Sequence, residues 1–214
     1  MGLTPPKTQG KSTRKPMKAG VYPATCIGIY GIGTHEETYQ GETNKRNKVI
    51  LNFEFPKIRR EIDVDGEKKD IPQTKAAWYT FSYFHMATLA KHLNTWRGKE
   101  LTKMEENTFD LFSMLGKNAL VTITNKTDDD GNIINDKVSG IMGLMDGMEA
   151  FPPELKTSHF SFIDHGKNIP DLVPDWVKTK IMASQEWAFM EDAKERLEPI
   201  IEPESGEPVD SLPF

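Results

Sequence analysis

The sequence predicts a mainly β protein with one helix between its third and fourth strands, a C-terminal helix and disordered termini. Three observations support this fold class. Five short segments are rich in β-branched and aromatic residues, several with apolar side chains at period two, one stretch between them has helical periodicity, and the two ends have no apolar pattern. The chain has 214 residues, 37% hydrophobic and 28% charged, which is typical of a globular core with solvated extensions.

The five strands are predicted over residues 20–30, 48–55, 77–84, 118–124 and 137–143. Gly28 should bend the first strand, and Pro56 should help to end the second. The polar residues 34–47 and the charged residues 57–75 are predicted to be loops.

Two helices follow from periodicity and end signals. Leu89, Leu93 and Trp96 share one helical face, and Gly98 is a suitable stop. A second helix is predicted from residue 176 towards 197 with Asp175 as its N-cap. Its apolar side chains could pack on the strands or on the second subunit of a homodimer, and the sequence leaves both open.

Three strands, a helix and two further strands are the element order of an OB-fold, a five-stranded barrel that is partly open. The predicted organisation is therefore a flexible basic arm (1–18), an OB-fold domain (19–149), a C-terminal helical extension (150–197) and an acidic disordered tail (198–214). No apolar run approaches the roughly 18 residues of a membrane span. The N-terminus has no signal-peptide pattern, and the only cysteine is Cys26, so we expect a cytoplasmic protein without disulfides or a cysteine-based metal site.

The net charge of −5 conceals a dipolar distribution, with only basic charges in residues 1–18 and only acidic ones in the last seventeen residues. The chain ends in Asp210, Ser211, Leu212, Pro213 and Phe214, of which Asp210, Leu212, Pro213 and Phe214 are the candidate contact residues. An apolar ring beside a free carboxylate can enter a small pocket next to a basic residue of a partner. We therefore predict a partner-binding tip here, although an ordinary acidic terminus would look similar.

A series of segments, in its order and spacing along the chain, resembles a family of bacteriophage-encoded OB-fold single-stranded DNA-binding proteins (SSBs). They are residues 20–24, 79–82, 89, 93, 96–99, 109–111, 115–117, 174–176, 181 and 184–186. The acidic Pro-Phe tip is also similar to that of bacterial SSBs. The resemblance implies sequence-independent coating of single strands in phage DNA replication, recombination and repair, with replication or recombination proteins recruited through the tip.

Binding of single strands requires cations along the phosphates and aromatic rings that stack on bases. The candidate DNA-binding residues are Tyr30, Lys45, Arg46, Lys48, Lys57, Arg59, Arg60, Lys75, Trp78, Tyr79, Arg97, Lys99 and Lys126. Trp78 is the best stacking candidate because alternation places it opposite the Tyr79 face; its alternative is packing against the C-terminal helix. The alternative for Arg97 and Lys99 is a role at the helix end.

Nothing in the sequence supports catalysis, a cofactor or a metal site. Asp128, Asp129 and Asp130 are consecutive and followed by Gly131, which favours a hairpin turn over a convergent metal site. Two alternatives to the SSB function stay open: an OB-fold interaction module of a replication complex with little DNA affinity, and a metal-dependent nuclease.

Overall fold

The computed structural model describes residues 16–39, 41–64 and 66–190. The predictions for residues 1–15 and 191–214, including the tip residues Asp210, Leu212, Pro213 and Phe214, lie outside the described residues. Within them the predicted fold class is confirmed: the protein is mainly β, and a curled antiparallel sheet of five strands forms an OB-like barrel.

The barrel strands are β1 (Gly20–Tyr39), β2 (Glu42–Val64), β3 (Glu67–Thr80), β4 (Asn118–Thr127) and β5 (Ile133–Met142). They lie in the order β3-β2-β1-β4-β5, and a short sixth strand, β6 (Ser158–Phe160), pairs parallel to β1. The first six residues of β1 pair with β4, and most of the strand pairs with β2. The predicted bend at Gly28 is confirmed, because the β1–β2 register shifts between Cys26 and Gly28 and any side chain at Gly28 would overlap the Tyr30 ring.

The predicted loops 34–47 and 57–75 are wrong, because both are largely two-stranded hairpins that project from the barrel. β2 continues past Pro56 through a register shift between Phe55 and Arg59. Away from the barrel, none of the described side chains of residues 36–47 and 61–70 is buried. These parts of the strands therefore need no period-two apolar pattern and look like loops in sequence. The predicted third strand also extends too far, since β3 ends at Thr80.

The helices are α1 (Thr88–Arg97), α2 (Glu105–Thr108), α3 (Phe162–His165) and α4 (Asp175–Met182), with a 3₁₀ turn at Leu111–Met114. The predicted stop of α1 is confirmed: Gly98 has a left-handed φ of 68°. In the described part of the chain, none of these helices has the length and apolarity that crossing a bilayer requires.

The C-terminal helix differs from its prediction in two ways. Pro174, not Asp175, is the N-cap of α4, and no side chain caps it. The helix also ends at Met182 and a new helical stretch covers residues 185–190. Ser184 explains the break, because its buried hydroxyl donates to the Ile181 carbonyl at 2.7 Å and accepts from the Trp187 amide at 3.2 Å.

Two apolar clusters stabilise the fold. The first fills the barrel and includes Leu51, Phe53 and Trp96. The second lies outside the barrel, where Tyr30, Ile32 and Ile50 pack against Phe160, Val173, Val177 and Ile181. The C-terminal extension therefore packs on the barrel of its own chain.

Polar side chains of the barrel fix this extension at defined points. The Asn118 amide donates to the Phe151 carbonyl and accepts from the Phe151 N–H, at 2.9 and 3.0 Å. The fully buried Glu54 carboxylate accepts from the backbone N–H groups of Glu154 and Leu155 at 2.9 and 2.7 Å. Charge-assisted bonds of this kind are among the stronger ones in proteins, so the extension is held in one position.

A further contact joins the extension to the base of the β1–β2 hairpin. Glu186 accepts from the Thr34 backbone N–H at 2.6 Å and from the Thr34 hydroxyl at 2.7 Å. Burial alone would raise the pKa of Glu186, but these bonds outweigh it and the pKa lies below its ordinary value. Gly33 is required here: its φ is +80°, and a Cβ would lie 2.6 Å from the Glu186 carboxylate and 2.7 Å from Ser184.

Candidate nucleic-acid interface

Two exposed tryptophans meet where the outer face of β3 borders α4. Trp78 points away from the barrel core, as its alternation with Tyr79 predicted, and is 50% exposed. The Trp176 ring is 43% exposed and lies 5.8 Å from the Trp78 ring, centroid to centroid, at 46°. The predicted alternative, packing against the C-terminal helix, is thus confirmed as a contact, but half of the Trp78 surface stays open to a ligand.

A polar cavity of about 380 Å³ adjoins the two rings. Besides the tryptophans it is lined by Asn52, Arg60, Thr74, Lys75 and Ala76. The Arg60 Nε is buried and has no hydrogen-bond partner in the described part of the chain. A buried unsatisfied donor is costly, and an anionic or carbonyl oxygen of a ligand would satisfy it.

A lysine lies at the other end of this surface. Lys48 pairs with Thr80 in the ladder, two residues and roughly 7 Å along the strand from Trp78. Its ammonium group lies 3.4 Å from the Thr80 hydroxyl and 2.7 Å from the Glu37 carboxylate. We call this surface the tryptophan strip; it consists of Lys48, Asn52, Arg60, Thr74, Trp78, Thr80 and Trp176.

The cations of the β1–β2 hairpin are paired but accessible. Lys45 lies 3.9 Å from Glu36, and Arg46 lies 3.9 Å from Glu37. All four side chains are at least 48% exposed, and exposed pairs of this kind contribute only about 0–1 kcal/mol. A phosphate could replace the carboxylates with little loss.

Arg59 instead connects the β2–β3 hairpin to the C-terminal extension. Its guanidinium lies 2.5 Å from Glu154 and 2.9 Å from Asp70. The hydrogen bonds to Glu154 and then to Asp70 raise the pKa of Arg59 further above its ordinary value. Lys57 and Lys126 are exposed and form no ion pair within the described residues, which leaves both available to phosphate.

Lys75 has a structural role, so its prediction as a free phosphate ligand is wrong. Its side chain is only 13% exposed, and its ammonium group lies 2.6 Å from the Asp136 carboxylate. Asp136 also accepts from the Met17 backbone N–H at 3.1 Å. This contact joins β3 to β5 across the open side of the barrel, and it holds Met17, which the sequence assigned to a flexible arm.

Two of the predicted stacking rings are buried, and those predictions are also wrong. Tyr30 is 1% exposed and its hydroxyl shares a 2.8 Å hydrogen bond with Ser158. Tyr79 is 5% exposed in the barrel core and bonds His92 Nδ1 at 2.8 Å. Burial is the main reason that the pKa of each phenol lies above its ordinary value. For Tyr30, the alternation of side chains along β1 does not reveal that the C-terminal extension covers the outer face of this strand.

Arg97 is likewise removed from the set of DNA ligands. Its side chain is 8% exposed, pairs with Glu105 and lies 4.6 Å above the Phe109 ring. It therefore holds α2 and the following turn against the end of α1. Lys99 remains exposed, 3.8 Å from the same Glu105 carboxylate.

Trp176 is the functional candidate that sequence reasoning missed. In the sequence, Trp176 is an aromatic residue in the first turn of a predicted helix, and such a residue usually packs against the core. Only the docking of α4 beside β3 places it against Trp78.

The run of aspartates forms the predicted turn. Asp128 accepts from the backbone N–H groups of Asp130 and Asn132 at 3.1 and 2.7 Å. Over residues 16–39, 41–64 and 66–190, no group of three or more histidine, cysteine or acidic side chains is arranged to hold a metal ion.

Comparison of the chain with models of protein families, with curated proteins and with solved structures found no match. The resemblance to phage SSBs therefore stays a prediction.

Proposed function

We propose that this protein binds single-stranded DNA without sequence preference along the tryptophan strip. The observation that carries the proposal is the pair of half-exposed rings, Trp78 and Trp176, beside the unsatisfied Arg60 Nε. Flat rings accept any base, and each stacked base contributes about 1–3 kcal/mol. The Arg60 guanidinium supplies charge beside the rings, and the exposed Lys45 and Arg46 continue it along the β1–β2 hairpin. Lys48 is 16% exposed and paired with Glu37, so it borders the strip without being a free phosphate ligand.

The position on the barrel agrees with this use. OB-folds bind oligonucleotides through the face of strands 2 and 3 and the loops that flank it. Here that face carries the strip, the β1–β2 hairpin carries Lys45 and Arg46, and the β4–β5 hairpin carries Lys126. The cluster of accessible cations is smaller than the sequence predicted, because Lys75 and Arg97 form internal contacts.

The proposed biological role is coating of single strands in phage DNA replication, recombination and repair, in the cytoplasm of a host bacterium. It requires no catalysis. Partner proteins of replication or recombination would bind the C-terminal tip, where Phe214 fills a pocket and its carboxylate pairs with a basic residue.

Fluorescence anisotropy tests the DNA-binding part directly. Labelled oligo-dT and a matched duplex are titrated with the protein at two salt concentrations. We expect tight single-strand binding, weak duplex binding, and a salt slope near −0.7 for each phosphate neutralised. Equal affinity for both DNAs, or no effect of salt, would contradict the proposal.

A second candidate function is favoured by the ion pairs. Most predicted cations already have carboxylate partners, and the net charge is −5. An interaction module with little DNA affinity would have these properties. Charge reversal at Arg60 distinguishes the two functions: it should weaken DNA binding strongly if the strip is the site, and change no partner contact made by the tip.

A further inference from the structure

A second cavity, of about 370 Å³, lies at the mouth of the barrel near the base of the β1–β2 hairpin. It is lined by Ile29, Gly31 and Val49 of the barrel, by the segment that follows β3, and by residues of the 3₁₀ turn and α3. The aromatic wall residues are Phe81, Tyr83, Phe109 and Phe112. This cavity shares no residue with the tryptophan strip.

The rim of this cavity exposes large apolar side chains. Ile163 is 96% exposed although it belongs to a helix docked on the barrel, and Phe81 is 44% exposed. Phe109 and Phe112, which also line the cavity, are half-buried. Exposed apolar side chains that line a concavity are characteristic of protein-binding sites.

The charges at the rim are acidic. Asp110 and Asp164 line the cavity and are both exposed. The nearby Arg97, 4.6 Å from the Phe109 ring, is 8% exposed and paired with Glu105, and it does not line the cavity. A phosphate backbone, or an acidic segment such as residues 198–214, would be repelled by these carboxylates. A ligand with positive charge beside an apolar group would be attracted.

A polar group in the wall has no partner. The Tyr83 hydroxyl is buried and makes no hydrogen bond within the described residues. Burial, with the neighbouring Asp110 charge, raises the pKa of Tyr83, so the phenol stays protonated and can donate. A carbonyl oxygen of a bound peptide would satisfy this donor.

We propose that the mouth cavity binds a partner protein through a peptide segment in which an aromatic or large aliphatic side chain is flanked by lysine or arginine. The apolar anchor enters between Phe81 and Phe112, the basic residues lie against Asp110 and Asp164, and a peptide carbonyl accepts from Tyr83. This surface lets the protein contact a partner with its barrel, independently of its C-terminal tip and of DNA.

Amide chemical-shift mapping of the full-length ¹⁵N-labelled protein tests this inference. The probes are two acetylated, amidated tripeptides, one with phenylalanine between lysines and one with phenylalanine between glutamates. We expect shifts confined to residues 81–83, 109–112 and 161–164. The lysine peptide should bind about fivefold or more tightly than the glutamate peptide, since each exposed charge pair contributes up to about a fivefold change.

Two variants of the cavity and one control variant make the result specific. Ile163→Ser should weaken lysine-peptide binding about fivefold or more, without unfolding the protein, because the side chain is exposed. The matched control is Met145→Ser, which truncates an exposed apolar residue outside the cavity. Asp110→Asn keeps the oxygen that accepts from Phe112 N–H and should reduce the preference for the lysine peptide.

The inference is overturned if neither peptide shifts these amides, if both bind equally, or if Ile163→Ser and Met145→Ser behave alike. It is also overturned if oligo-dT shifts the cavity amides instead of those of the strip, because the cavity would then belong to the DNA site. Failure of DNA binding at the strip leaves this proposal intact, so the two are tested separately.

Discussion

Replacing Trp78 by alanine separates stacking from charge in the proposed DNA site. The variant removes Trp78, the more exposed ring of the tryptophan pair, and leaves Lys48 and Arg60 in place. If one base stacks on this ring, binding should weaken by about 1–3 kcal/mol, which is roughly a fivefold to 150-fold increase in Kd. The salt slope should stay nearly constant, because no phosphate contact is lost.

The fold should tolerate this change. A fully buried tryptophan truncated to alanine costs about 3–5 kcal/mol, and because Trp78 is 50% exposed, about half of that is expected here. Urea unfolding of the variant measures this cost. Binding is then measured under conditions where the variant is folded, so that a loss of affinity reports on the site.

The assay is anisotropy of labelled oligo-dT at several salt concentrations, with Phe84→Ala as the matched control. Phe84 is an aromatic residue of 60% exposure that lies outside the strip. The stacking argument is refuted if Trp78→Ala changes Kd less than Phe84→Ala does. A salt slope that falls together with the affinity would show that the ring acts by positioning cations and not by stacking.

Three further predictions concern the barrel seam, the extension and the tip. Asp136→Asn should destabilise the protein by about 3 kcal/mol in urea unfolding, because it removes the carboxylate from the buried Lys75; Glu61→Gln, in a pair at least 71% exposed, should cost under about 1 kcal/mol. The folded-state pKa of Glu186 lies below its ordinary value of 4.5, so its stabilising contribution is complete above that pH and is lost as the pH falls through the folded-state pKa. Glu186→Gln should remove this part of the acid dependence of unfolding, and an unchanged pH profile would refute the assignment. Deleting Phe214 should leave oligo-dT binding unchanged and abolish pull-down of replication partners, whereas equal loss of both would show that the tip is not a separate binding element.

Local pattern predicted those parts of the fold that bury one face. The core strands around Val49, Leu51 and Phe53, the helix that carries Leu93, and the stop at Gly98 all follow from periodicity and end signals. In these elements, buried side chains recur at the period of the strand or helix, so the pattern of neighbouring residues is enough to predict the element. The long hairpins were missed because their outer residues, away from the barrel, bury no side chain and show no such period.

The sequence by itself determined which residue types are available at each strand position, and hence that Trp78 and Tyr79 face opposite sides of β3. Only the tertiary structure decided what each side chain meets. Tyr30 is buried because the C-terminal extension covers the outer face of β1, and Trp176 joins Trp78 because α4 docks beside β3. Lys75 and Arg97 are internal because Asp136 and Glu105 reach them from other elements. The exposure of a ring and the partner of a charge depend on contacts between distant segments, and single-residue chemistry carries no information on those contacts.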